Sequence, residues 1–457
     1  MSLSIIILAA GEGTRMQSTC PKVLHSLAGK YLLSHVIDSS KALSPEQLIV
    51  VTGFAGAAVK EAINDDSIDW VTQAEQQGTG HAVLQCLPVL NVKNDVLVLY
   101  GDVPLISAET LTSLINKAAD SAVSLLSFKS DNPFGYGRII RDDAENIKAI
   151  IEQKDLLPDQ EASGECNSGI MFLAAEQLKN LLSKLDNNNS QAEYYLTDVV
   201  VHAKNEGLDV SALVVKDNNE VMGVNDQQQL AEAEAVLRQR NAAALLKQGV
   251  KLVDPQRFDQ RGIVIAGKDV VIDINVILEG NIEIDDQVSI GPNCVLKNVT
   301  IKAGSTILAN SLLEDCLVGR NVTIGPFARI RPGSVLNDNS KIGNFVEIKK
   351  SVIGVGSKVN HLSYIGDATL GQQVNIGAGV ITCNYDGANK YKTTIGDNVF
   401  VGSDCQLIAP VVIGNGSTIG AGSTITKDTP ENKLTFSRSA QKTIPGWQRP
   451  CKKSADK

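Results

Sequence analysis

Four groups of residues in this 457-residue chain have the types and spacing that chemistry requires. The first is Leu8-Ala9-Ala10-Gly11-Glu12-Gly13-Thr14-Arg15-Met16, which closes an apolar run and leads to Pro21-Lys22. Glycines let a backbone approach a phosphate with its N–H groups facing it, and Arg15 and Lys22 add positive charge. The pattern is neither G-x-x-x-x-G-K-[ST] nor G-x-G-x-x-G, because Met16 stands where the third glycine belongs. A tight strand-to-helix turn uses the same two glycines; the longer phrase through Pro21-Lys22 is what makes the signal specific. The second group is Tyr100-Gly101-Asp102-Val103-Pro104. A carboxylate there can cap a helix. Directly after glycine, at the ligand edge of a parallel sheet, Asp102 suits a metal, and Mg²⁺ usually takes only one or two protein oxygens. The third is Gln73 with Gly78-Thr79-Gly80-His81, where His81 reads either as a ligand contact or as a hydrogen-bonded loop histidine. Gly135-Tyr136-Gly137-Arg138 and Asn167-Ser168-Gly169 are similar turns. The fourth lies far downstream: Arg329, Arg331, Lys349 and Lys350, followed by His361. Arg331 and Lys349 are 18 residues apart, so a backbone coiling with that period stacks them as a phosphate-binding pair. A histidine beside them can serve as a general base.

The elements that must position the first three groups lie in residues 1–225. Apolar runs at Ile5–Ala10, Gln47–Thr52, Val96–Tyr100, Ala122–Ser127 and Ser211–Val215 predict strands. Helical patterns at Leu32–Leu43 and Glu109–Ala119 lie between some of them. This βαβ rhythm predicts a Rossmann-like, doubly wound α/β domain with a mostly parallel sheet, whose ligands bind outside the carboxyl ends of the strands. Asp226 to Gln248 predicts a helix, with Asn225 or Asp226 as N-cap, Leu230, Leu237 and Ala244 on one face, and Gly249 as the stop. The expected domains are 1–227, a linker helix at 228–248 acting as a rigid arm, and 249–457.

The fourth group sits in a different pattern. From Ile395 through Val401, Leu407, Ile413, Ile419 and Ile425 every sixth residue is aliphatic, and the same ruler fits Ile272 to Leu296 and Ile324 to Ile348. Helices recur near 3.6 and strands near 2, so a period of six indicates a parallel β-helix of hexapeptide repeats, left-handed in its expected form. Lys251–Gly262 is expected to cap its start, and residues 430–457 to form an irregular tail. The phase slips near Val299–Ile301, Leu317–Val318 and Val352–Ile353, and 382–394 (TCNYDGANKYKTT) interrupts it most. Loops inserted into solenoids are often binding surfaces.

Composition narrows the function classes. A formal charge of −9 without a basic stripe argues against a nucleic-acid partner, and Lys452-Lys453 is too short to alter that. The 8 cysteines are scattered without a C-x-x-C pair, which suggests reduced thiols in the cytoplasm and no zinc site. The N-terminus lacks a basic n-region and reads as a buried strand, not a signal peptide. No apolar run is long enough to span a membrane.

With these motifs in hand, the whole chain resembles the bacterial bifunctional N-acetylglucosamine-1-phosphate uridyltransferase and glucosamine-1-phosphate acetyltransferase family. Residues Leu8 to Lys22 resemble its pyrophosphorylase signature; YGDVP, NPFGYGRI, EQKD, CNSGI and GVND resemble its sugar-nucleotide contacts. The resemblance implies UTP or UDP-sugar contacts at Leu8, Ala9, Ala10, Gly11, Lys22, Gln73, Gly78, Thr79, Tyr100, Gly101, Asp102, Gly137, Glu152, Asn167 and Asn225. It implies Mg²⁺ on Asp102 and Asn225. GPFARIRPG, GNFVEIKK, NHLSYIGD, VNIGAG, TCNYDGANK, FVGSD and FSR resemble the acetyltransferase. They imply sugar-phosphate contacts at Arg331, Lys349, Tyr364 and Asn375, and acetyl-CoA contacts at Ala378, Asn384, Tyr385, Ser403, Ala421 and Arg438. His361 is then the proton acceptor, and Arg15 and Lys22 neutralise charge in uridylyl transfer. A homotrimer is also implied. Two departures stand out: Glu12 where the family is commonly basic, and Ser168 where threonine is usual. Two rival readings are a single-activity sugar-1-phosphate nucleotidyltransferase with a purely structural β-helix and a non-catalytic relative.

Overall fold

The computed structural model describes residues 2–53, 55–118, 121–157 and 163–450, in two compact units, Met1–Arg240 and Asn241–Lys457. Ala119, Cys451 and Lys452-Lys453 lie outside the described residues.

The first unit is built on a sheet whose strand order is Val210–Val214, Val123–Lys129, Glu165–Leu173, Asp95–Tyr100, Leu3–Ala9, Gln47–Thr52, Asp69–Thr72. Leu3–Ala9 is central and pairs in parallel with Asp95–Tyr100 on one side and Gln47–Thr52 on the other. Its all-aliphatic sequence follows from burial on both faces. Ile5 and Ile7 enter one core with Leu97, Leu99 and Val50, while Ile6 and Leu8 enter the other with Val96, Val98 and Ile49. The parallel rhythm has one exception: Glu165–Leu173 runs antiparallel to both its neighbours, and a hairpin, Arg138–Arg141 with Ile147–Ile151, attaches to its start. The expected alternation missed these strands because charged residues break their apolar runs: Arg138 and Arg141 lie within one strand, and Arg141 is tied to Glu165 at 2.8 Å.

The second unit is a parallel β-helix. Inward rungs stack in register from Ile272 through Ile290, Ile307, Ile324, Ile342, Val359, Ile376, Val401 and Ile419, and all are buried. Successive coils advance by 17 or 18 residues, and the expected phase slips are the coils one residue short. Between Ile376 and Val401 the step is 25 because residues 384–392 leave the coil and return; the expected interruption at 382–394 is narrower, since Thr382 and Cys383 pair with Leu407 and Ile408, and Thr393 and Thr394 with Ala368 and Thr369. No coil can bury its own face, so the core exists only through stacking.

Three expectations need correction here. Lys251–Leu252 is no separate cap: it pairs in parallel with Val271–Ile272 as the first rung. Leu434–Thr435 adds a rung on Thr418–Ile419, inside the segment expected to be irregular. Both were hidden because a terminal rung is only two residues and repeats nothing on one side. The helix is 21 residues, Gln227–Lys247, with the Asp226 carboxylate accepting from Gln229 N–H at 2.8 Å and Gly249 at φ 91° beyond its end. Ala244 is exposed; Ala242 and Leu245 take the buried positions of its last turns.

Candidate active sites

At the carboxyl ends of the two central strands of the first unit lies a cleft of about 290 Å³. Leu8, Ala9, Ala10, Gly11, Lys22, Gln73, Gly78, Thr79, Tyr100 and Asp102 all line it, so ten of the residues singled out from sequence meet in one place. Gly13 has φ 68°, and a Cβ there would sit 2.5 Å from that of Lys22, so glycine is what lets the loop fold over Lys22. Met16, 1 % exposed, anchors that loop in the core, which accounts for methionine at the third-glycine position. The Lys22 ammonium contacts the Asp102 carboxylate and lies 3.1 Å from Asn225 Oδ1. Asn225 is brought there by the Val224 N–H bond to the Asp102 carbonyl, 2.8 Å. Two protein oxygens therefore already converge on one cation, an oxygen donor set that fits Mg²⁺. Arg15 and Glu12 are exposed, do not line the cleft, and form no hydrogen bond or ion pair among the described residues.

Beside the cleft, Gly137, Glu152 and Asn167 gather on the hairpin and the antiparallel strand. A Cβ on Gly137 would meet Glu152 Oε2 at 3.3 Å, and Asn167 N–H donates to the Gly137 carbonyl at 2.9 Å. Burial pushes the Glu152 carboxyl above the usual carboxylate range, although Thr197 Oγ1 donates to it at 3.1 Å; Asp198, Asp155 and Glu193 push the same way. Burial also raises the Tyr100 phenol, and the charges of Glu152 and Asp102 add to it, so Tyr100 connects this cluster with the cleft. Gly169, at φ 85°, packs against the Tyr100 ring where a Cβ would come within 2.6 Å. Sequence reasoning missed Gln76, which lines the cleft and donates to the Ala10 carbonyl at 2.6 Å, and Thr197.

In the second unit one corner of the β-helix carries a vertical ladder of backbone bonds. Leu362 N–H reaches the Asn344 carbonyl at 3.1 Å, Gly379 reaches His361 at 3.4 Å, Asp404 reaches Ala378 at 2.7 Å, and Gly422 reaches Ser403 at 2.8 Å. At its end Arg438 Nη1 donates to the Ala421 carbonyl at 2.8 Å. His361, Ala378, Ser403, Ala421 and Arg438 thus follow one edge. His361 is exposed, and its Nδ1 lies 2.8 Å from Asn344 Oδ1. A carbonyl oxygen only accepts, so Nδ1 carries the proton and the Nε2 lone pair faces outward. Asn344 was missed by sequence reasoning; it sits 17 residues before His361, one coil away.

Around the corner, Arg331 and Lys349 occupy adjacent coils, with Arg331 N–H on the Ile348 carbonyl at 2.8 Å. Each has a carboxylate: Arg331 pairs with Glu347 at 2.8 Å and Lys349 with Asp367 at 3.5 Å. Asp367 also accepts from Asn384 Nδ2, tying the base of the 384–392 detour to Lys349. Tyr364 pairs in register with Glu347, and Asn375 with Lys358 and Phe400. The detour is held by a bridge between Tyr385 and Lys390 and by the Asp386 side chain, which caps Ala388 and Asn389.

The comparisons with known proteins agree with this division. The profile of the MobA-like NTP transferase domain matches residues 5–163, that of the bacterial transferase hexapeptide (six repeats) matches 392–427, and that of the GMPPB C-terminal domain matches 260–344. A protein of Stutzerimonas stutzeri strain A1501, named bifunctional protein GlmU, is 51% identical over 453 residues, 99% of this chain and 100% of its own. Proteins of the same name from Nitrosospira multiformis and Nitrosomonas eutropha are each 52% identical, covering 100% of this chain and 99% and 100% of their own lengths.

Proposed function

The chain belongs to the bifunctional GlmU family, enzymes with a uridyltransferase and an acetyltransferase in one polypeptide, and we propose how its two units divide that work. The second unit transfers acetyl from acetyl-CoA to the amine of glucosamine 1-phosphate. Arg331 and Lys349 exchange their carboxylate partners for the phosphate, assisted by Tyr364 and Asn375. His361 Nε2 takes a proton from the amine, whose nitrogen attacks the thioester carbonyl; the C–S bond breaks and the CoA thiol leaves. Ala378, Ser403, Ala421 and Arg438 hold acetyl-CoA along the ladder, with Asn384 and Tyr385 covering it from the detour. The alignment of His361 with that ladder is the observation that carries this assignment.

The first unit joins the resulting N-acetylglucosamine 1-phosphate to UTP. The sugar phosphate oxygen, already anionic, attacks the α-phosphorus and pyrophosphate departs, so alignment and charge neutralisation suffice. Gly11 and its loop hold the phosphates, with Arg15 and Lys22 supplying positive charge; Gln73, Gly78 and Thr79 hold the base; Gly101, Gly137, Glu152 and Asn167 hold the sugar. Asp102 and Asn225 would hold a Mg²⁺ whose charge offsets that of the phosphates. The convergence of Asp102 and Asn225 on the Lys22 ammonium carries this reading.

The molecule is a homotrimer through its β-helix in this reading. Exposed Phe327 and Phe345, stacked with centroids 5.3 Å apart, give the helix an apolar edge to cover. It acts in the cytoplasm, where UTP and acetyl-CoA are made; no described helix is long and apolar enough to cross a membrane. The domains are taken as 1–227, 228–248 and 249–457. Two assays on the intact chain test the division. His361→Ala is expected to lower acetyl transfer by about 10²–10⁴-fold and leave uridylyl transfer unchanged. Asp102→Asn should do the reverse; retained Mg²⁺-dependent uridylyl transfer would remove its metal role.

A further inference from the structure

Gln73 is 4 % exposed and lines the cleft. Its Nε2 lies 3.1 Å from the Gly78 carbonyl and 3.1 Å from His81 Nδ1. The Gly78 carbonyl can only accept, so it fixes which end of the Gln73 amide points away from the cleft: the NH₂. The same NH₂ meets His81, so His81 Nδ1 must be the unprotonated nitrogen, and the ring proton sits on Nε2. Gln85 Nε2 stands 3.0 Å from that nitrogen; a neutral ring has one acceptor and Nδ1 already fills that role, so the Gln85 amide must turn over to present its oxygen there. A chain of donors thus runs from His81 Nε2–H to Gln85 and from Gln73 N–H to His81. The ring is also flanked by Tyr194, with centroids 6.2 Å apart. Both hydrogens of the Gln73 amide are consumed inside the protein, and Oε1, with no hydrogen-bond partner among the described residues, is what the cleft receives.

We propose that His81 is a positioning residue for base selection: by accepting from Gln73 it locks the Gln73 oxygen toward the base, so the cleft favours a pyrimidine with an N–H at its pairing edge. Uracil presents N3–H there, and Oε1 accepts it. Cytosine presents a bare N3 lone pair at the same place, which Oε1 repels. If His81 could not accept, the Gln73 amide would be free to turn, and the distinction between the two bases would fade. The proposal rests on the reading of this cleft as the nucleotide site.

The test uses the full chain, with kcat/KM measured for UTP and for CTP against N-acetylglucosamine 1-phosphate. His81→Phe keeps a flat ring and removes the acceptor. It is expected to lower the UTP:CTP ratio by about tenfold or more, the weight of one oriented hydrogen bond, chiefly through KM for UTP, with acetyl transfer unchanged. Imidazole ¹⁵N shifts of His81 in the unaltered protein should show the proton on Nε2, a measurement that does not depend on the variant folding. A proton on Nδ1, or a folded His81→Phe protein with the original ratio, overturns the role of His81. Gln73→Ala separates the two levels: if it leaves UTP kinetics untouched, the nucleotide-site reading itself fails.

Discussion

At the scale of single residues, both proposed sites leave one atom free after its neighbours have been satisfied. Asn344 does this for His361: by accepting from Nδ1 it leaves Nε2 free for the proposed role of base. Asn344→Leu should therefore lower kcat for acetyl transfer by about tenfold or more while leaving KM for glucosamine 1-phosphate nearly unchanged, since the phosphate contacts are untouched. A loss confined to KM would argue against that orientation. His35 offers a stability prediction. Its Nε2–H donates to the Leu27 carbonyl at 2.8 Å, and burial holds its pKa below the ordinary 6.5. A histidine depressed in the folded state stabilises fully above the unfolded value and loses that stability as pH falls through the folded one. Thermal midpoints should decline below about pH 6.5, and His35→Gln should flatten that decline. What the sequence made legible at this scale were residues tied to glycine turns at strand ends: Gly11, Asp102 and Gly78 could be read because turn chemistry is local. Asn344, Gln76 and the Glu347 and Asp367 counter-ions could not, because their meaning comes from a partner in another coil or strand.

At the scale of elements, the two units show how unevenly periodicity reports structure. The six-residue ruler predicted the β-helix rungs almost residue by residue, because each inward aliphatic has a copy above and below it. The slips were visible, but that they shorten a coil to 17 residues became clear only from the paired strands. In the first unit the strand Glu165–Leu173 gave no such signal, since its buried half is apolar and its first half carries Glu165, Asn167 and Ser168 for partners elsewhere. Ile342 is fully buried beneath Ile324 and above Val359. Ile342→Ala should cost about 2–5 kcal/mol in urea unfolding of the second unit, from lost burial and the cavity left behind. Because each coil supports its neighbours, acetyl transfer should fall at lower urea than uridylyl transfer in that variant.

At the scale of the whole molecule, the prediction is about independence and assembly. Inhibition or mutation of one activity should leave the other's kcat within about twofold, since the residues proposed for each site lie within one unit. Light scattering should return three chains per particle; replacing Phe327 and Phe345 together with serine should shift it toward single chains.

The detour between Ile376 and Val401 has a further consequence. The coil resumes with Thr393 on Ala368 and Ile395 on Leu370, in the register it would have had with no excursion. The stack therefore acts as a chassis, and the segment beyond Asn384 as an exchangeable part, Asn384 itself being tied through Asp367 to Lys349. With Asn384 and Tyr385 covering acetyl-CoA as proposed, selection would retune the grip on the acyl donor by editing this one stretch, and an engineer would do the same by grafting.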